Sequence, residues 1–126
     1  MDITPAVPAG RQVVESYGDG RFKVSGNFHR GSVLVHPDET LPWSAADMAG
    51  VTLDSLAPLL PTAGRLVEVL LLGCGPSLLP VPKELRQELR ARGIVVEPMD
   101  TGAACRTYNV LLLEERAVAA ALIAVS

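Results

Sequence analysis

The triplet Asp100-Thr101-Gly102, followed by Ala103, carries the residue types with which an aspartic protease presents its catalytic carboxylate. That chemistry needs two such carboxylates sharing one proton, from one chain or from a homodimer. A chain of 126 residues leaves the dimer route open. The flanks argue against it. In such a protease the triplet follows an apolar strand directly, and a later element ending in glycine crosses behind the loop. Here Pro98-Met99 precedes Asp100, and no glycine follows Gly102. The triplet therefore reads as a helix start, with Asp100 or Thr101 offering oxygen to the free N–H groups of the first turn.

A second group with chemical potential is Gly73-Cys74-Gly75, where an apolar run ends. In an open α/β sheet, ligands bind in the crevice beyond the carboxyl ends of the strands. A helix starting at Thr101 would aim N–H groups into such a crevice, and Arg106 lies one turn further on. Gly73, Cys74, Gly75, Asp100, Thr101, Gly102 and Arg106 are thus the candidate site for a small anion. The plainer reading, which we favour, is structural: the glycines permit a turn and Asp100 caps its helix, worth about 1 kcal/mol. As a dinucleotide fingerprint, Gly73-Cys74-Gly75-Pro76 lacks the third glycine. Cys74 and Cys105 both follow strand ends, so a redox pair is one option and two half-buried thiols the commoner one. His29 and His36 have no third ligand nearby, and no metal is expected. Ser32, Ser44, Ser55 and Ser77 lack a partner pattern that would make a nucleophile. Tyr108-Asn109 is expected to supply packing and a buried amide hydrogen bond.

The elements that must position these residues follow from periodicity and punctuation. Residues 1–12 read as an irregular arm. Val13–Tyr17, Phe22–Ser25 and Gly31–His36 are short strands, separated by a Gly-Asp-Gly turn and a turn over residues 26–30; such tight spacing favours antiparallel neighbours. Asp38–Val51 reads as polar and irregular, with Trp43 as a lid over one edge of the core. A short helix starts near Thr52, limited by Pro58. Val67–Leu72 ends in four apolar residues without alternation, as in a strand covered on both faces. Pro82–Arg92 is an amphipathic helix with Leu85 and Leu89 inward, closed by Gly93. Ile94–Glu97 is a strand and Ala103–Leu113 a helix. Glu114-Glu115-Arg116 turns the chain into Val118–Val125, an all-apolar central strand whose alanines let helices pack close.

The order is three strands, then α-β-α-β-α-β, in a single domain over residues 1–126. The chain is 48% hydrophobic, 20% charged and only 4% aromatic, so its core is built of Leu, Val and Ala. A net charge of −3 without a basic patch argues against a nucleic-acid partner. The longest uncharged apolar run, Ala117–Val125, is about half the length of a membrane span, so no membrane insertion is expected. The amino terminus does not have the pattern of a secretory signal, and a cytoplasmic location is expected.

Four stretches, taken in order, resemble one small-domain family. Asp100–Leu112, D-T-G-A-A-C-R-T-Y-N-V-L-L, is followed by a turn and V-A-A-A-L-I. Phe28–Val35 contains G-S-V-L-V, Trp43 comes shortly after, and Leu70–Gly75 reads L-L-L-G-C-G. These are similar to the signature of the Mth-like domain family (domain of unknown function 498), which includes the mitochondrial assembly factor three of respiratory complex I. The similarity runs from about Tyr17 to Val125. It implies a three-layer α/β fold, with a mixed sheet, N-terminal hairpin strands, flanking helices and the last strand antiparallel to its neighbours. It implies no established reaction, no catalytic residues and no cofactor. It implies a protein-interaction or assembly-factor module whose partner is a protein, either a membrane-complex assembly component or an export component; a homo-oligomer is left open. Two departures stand out. The family commonly has threonine at Cys74, so a catalytic thiol there is not a family trait, and it usually has glycine in the last turn at Glu115.

Overall fold

The computed structural model describes residues 2–3 and 10–126. Of the expected N-terminal arm, residues 1 and 4–9 lie outside the described residues; Asp2 bridges to Ser16. Five strands form in the first half: β1 Val14–Gly18, β2 Arg21–Val24, β3 Asn27–Arg30, β4 Val33–His36 and β5 Glu39–Pro42. Two of them replace segments expected to be irregular. Ser25 and Gly26, with φ of 43° and 87°, make a two-residue turn whose positive dihedrals suit the right-handed twist of a hairpin. The turn is therefore complete by Asn27, and the next residues are free to pair with β2. Asp19 and Gly20, with φ of 55° and 72°, do the same between β1 and β2.

The second half alternates as expected. Strand β6 is Val69–Gly73, α1 Lys83–Ala91, β7 Val95–Met99, α2 Thr101–Leu113 and β8 Val118–Leu122. The short helix near Thr52 is a 3-10 segment, Asp54–Leu59, holding Pro58. Strands β1-β2-β3 form one antiparallel sheet, and the order β5-β4-β8-β6-β7 forms the other. The antiparallel relation expected of the last strand holds toward β4. Toward β6, β8 is parallel, which corrects that expectation on one side. The reason is the connection: a helical crossover returns the chain in its original direction, and α1 and α2 each provide one. Pro98 is tolerated within β7 because that strand lies at the sheet edge.

Alternate residues of the central strands divide the core. Leu34, Leu70, Leu72, Ala119 and Ala121 face α1, the 3-10 segment and the buried Trp43. Val33, Val35, Leu71, Ala120 and Leu122 face α2 and the β1–β2 hairpin. The apolar run of β6 is thus covered on both sides, as its lack of alternation required. Ala119, Ala120 and Ala121 are each 0% exposed, and their small side chains bring both layers close to the sheet.

Candidate functional site

The two glycine-containing stretches meet at the carboxyl ends of β6 and β7. Cys74 N donates to Met99 O at 2.8 Å, and Thr101 N to Gly75 O at 2.8 Å. Thr101, fully buried, joins three chain segments: its Oγ1 accepts from Gly75 N at 3.0 Å and donates to Ile123 O at 2.7 Å. Asp100 is the helix cap, its Oδ1 accepting from Ala103 N at 2.9 Å. Ala104 N bonds to Asp100 O at 3.0 Å. Three amides of the first turn of α2 therefore already hold acceptors within the chain. A carboxylate engaged with its own helix is not arranged for the proton sharing of an aspartic protease.

Tyr17, from β1, lies over this helix start. A Cβ placed on Gly102 would come within 2.5 Å of the Tyr17 hydroxyl oxygen and 2.9 Å of its ring. Gly102 is needed because the ring occupies the space a side chain would take. Arg106 Nη1 donates to that hydroxyl at 3.0 Å, closing the arrangement from the outside. Gly73 is similarly confined: an added Cβ would be 3.1 Å from both Leu122 and Thr101. All seven candidate residues are thus brought to one end of the sheet. Tyr17 and Ile123 complete the cluster and were not signalled by local sequence. A glycine at the second position of a helix, where it costs stability relative to alanine, was the available hint of a close approach.

The cysteines do not meet. Cys74 packs among the residues facing α1, and Cys105 among those facing α2, on the other side of the sheet. Both are free and buried. Burial raises the Cys105 thiol to about 12, with Arg106 only partly offsetting it, so it is protonated and unreactive near neutrality. Tyr108 and Asn109 do what was expected of them: the Tyr108 hydroxyl donates to Gln12 O at 2.7 Å, and the Asn109 carboxamide engages Val14.

Residues 14–123 match the family described as protein of unknown function (DUF498/DUF598). The chain belongs to this family. The chain is similar to an uncharacterized protein of Rhodobacter capsulatus, 43% identical over 91% of this chain and 86% of that protein. It is also similar to NADH dehydrogenase [ubiquinone] 1 alpha subcomplex assembly factor 3 of several animals. The Danio rerio protein is 38% identical over 88% of this chain and 63% of its own length. The human protein is 32% identical over 87% of this chain and 59% of its own length. The chain thus spans about 60% of those assembly factors. Among solved structures, a Bartonella henselae protein described as an outer membrane protein superimposes with a TM-score of 0.84 at 40% identity, covering 93% of this chain and 98% of that one. A Bordetella pertussis Mth938-like domain gives 0.81 at 27% identity, over 100% and 95% of the two chains. Among the described residues of the present chain, no helix is long and apolar enough to cross a membrane.

Proposed function

We propose that this chain is a non-enzymatic protein-interaction module of the cytoplasm, acting in the assembly of a membrane-bound NADH dehydrogenase. The observation that carries this reading is the 32–38% identity to assembly factor 3 across nearly nine tenths of the chain. Two physical features support it. The polar groups at the strand ends are engaged with one another, and the buried Cys105 thiol is held protonated. Apolar side chains also point outward: Leu78 is 62% exposed on the loop after β6, and Val110 and Leu113 are exposed on α2. The adjacent Leu79 is 42% exposed, so Leu78 and Leu79 together give that loop an apolar surface on which a protein can pack.

The test is removal of the gene from its host, followed by native gel separation of the membrane complexes. The expected result is less complete NADH dehydrogenase with accumulated partial assemblies, restored by the wild-type chain and poorly by L78D combined with L79D. Normal assembly in the deleted strain would sink the reading. Accumulation of unexported precursors instead would favour an export component as the partner.

A second reading keeps the strand-end residues Gly73, Cys74, Gly75, Asp100, Thr101, Gly102 and Arg106 as a site for a small anion. The observation in its favour is Arg106, an exposed guanidinium beside the start of α2. On this reading phosphate-bearing metabolites raise the melting temperature and Arg106→Ala abolishes the rise. A broad metabolite panel that produces no rise removes it.

A further inference from the structure

At the opposite end of the main sheet, β4 runs out through His36 and β8 begins after Ala117. A cleft of about 330 Å³ lies here, lined by Arg11, His36, Asp38, Arg65, Glu115 and Arg116 among others. We propose that this cleft binds a small phosphate-bearing molecule through its three guanidinium groups.

The arginines come from distant parts of the chain, and the fold brings them to one cavity. Two already hold a carboxylate. Arg11 Nη1 is 3.2 Å from Asp38 Oδ1, and Arg65 pairs with Glu39. Those carboxylate side chains are 67% and 49% exposed, so a competing oxyanion can exchange with them at little desolvation cost. Arg65 is the better anchored, because its Nε donates to Pro58 O at 3.0 Å and its side chain is only 18% exposed. Arg116 forms no ion pair among the described residues. A guanidinium presents its donors as a planar fork that matches phosphate oxygens. The cleft sets three of them against the two carboxylates of its lining: Asp38, which is paired with Arg11, and Glu115, which opposes an anion. The negative end of α2 lies nearby and would oppose an anion. Its carbonyls are partly satisfied: Val110 O accepts from Glu114 N, Leu112 O from Glu115 N and Leu111 O from Arg116 N. His36 is buried, and its Nδ1 accepts from Asp38 N at 3.2 Å. Burial and the neighbouring Arg65 lower its pKa from 6.5, so the ring is neutral at pH 7 and the arginines carry the recognition.

The test uses the intact protein and inorganic pyrophosphate, with sodium chloride at matched ionic strength as the reference. The His36 imidazole signals are followed by NMR. A saturable shift specific to pyrophosphate is expected. Arg116→Gln should weaken affinity about tenfold or more, and Arg92→Gln, on an exposed arginine after α1, should leave it unchanged. Thermal melts confirm that both variants are folded. Absence of a saturable shift, or equal affinity in Arg116→Gln, overturns the proposal. So does binding lost in Arg106→Ala but kept in Arg116→Gln, because that places the anion at the other end of the sheet.

Discussion

The side chain of Asn109 pairs with both backbone groups of Val14. Its Oδ1 accepts from Val14 N at 3.0 Å and its Nδ2 donates to Val14 O at 2.8 Å. A helix side chain thus takes the place a neighbouring strand would fill, where the β1–β2 register shifts between Val14 and Ser16. The contact ties the small sheet to α2 across 95 residues of chain. Replacing Asn109 with leucine leaves two buried backbone groups unpaired. The expected loss is about 2–4 kcal/mol in urea unfolding. A change below about 0.5 kcal/mol would show that Asn109 is not a tie between the layers.

Gly102 and Tyr17 are coupled by space. Gly102→Ala should destabilise the protein by about 1–3 kcal/mol, because the added carbon must displace the Tyr17 ring. Tyr17→Ala in the same chain removes that obstacle. The two substitutions together should therefore cost less than their separate effects added, as a double-mutant cycle would measure. Strict additivity would mean that the ring does not rest on Gly102.

Asp100 and Thr101 respond differently to isosteric replacement. Asn also caps helices well, so Asp100→Asn should stay close to wild type, and Asp100→Ala should lose about 1 kcal/mol. Thr101→Ser keeps the hydroxyl that joins Gly75 to Ile123, whereas Thr101→Val leaves a buried donor and acceptor unmatched and should cost about 2 kcal/mol. Denaturant midpoints distinguish the four variants. A marked loss in Asp100→Asn, or acid peptide hydrolysis abolished by it, would revive the protease reading.

The thiol and phenol of α2 make the fold sensitive to alkali. Burial raises Cys105 from 9.0 to about 12, and burial likewise raises Tyr108 above its ordinary value. Their unfolded forms therefore lose protons first as pH rises. Stability from Cys105 is fully present below pH 9 and is lost between about 9 and 12. Melting temperature should fall through that window, and Cys105→Ala should flatten part of the fall. At neutral pH a thiol reagent should modify Cys105 only at the rate at which the protein opens. Rapid stoichiometric labelling of the native protein would contradict its burial.

Much of the second half was legible in the sequence because its signals act over one or two turns of chain. Gly93 follows α1 with a φ of 80°, and Asp100 caps α2. Unbroken apolar runs identified β6 and β8 as central strands, because a strand covered on both faces has no reason to alternate. The same local signals brought Gly73, Gly75, Asp100 and Thr101 to strand ends, where the structure has them. Signals that need a partner were silent. Strand β3 is mostly exposed and β5 is an edge strand with no fully buried residue, so neither carries an apolar pattern; each exists through pairing with the strand before it. Neither the opposite sides taken by Cys74 and Cys105, nor the parallel pairing of β8 with β6, nor the seat of Tyr17 on Gly102 is written in any short window. These were decided by packing between segments far apart in sequence, where the cost of an overlap or an unpaired buried group depends on both partners at once.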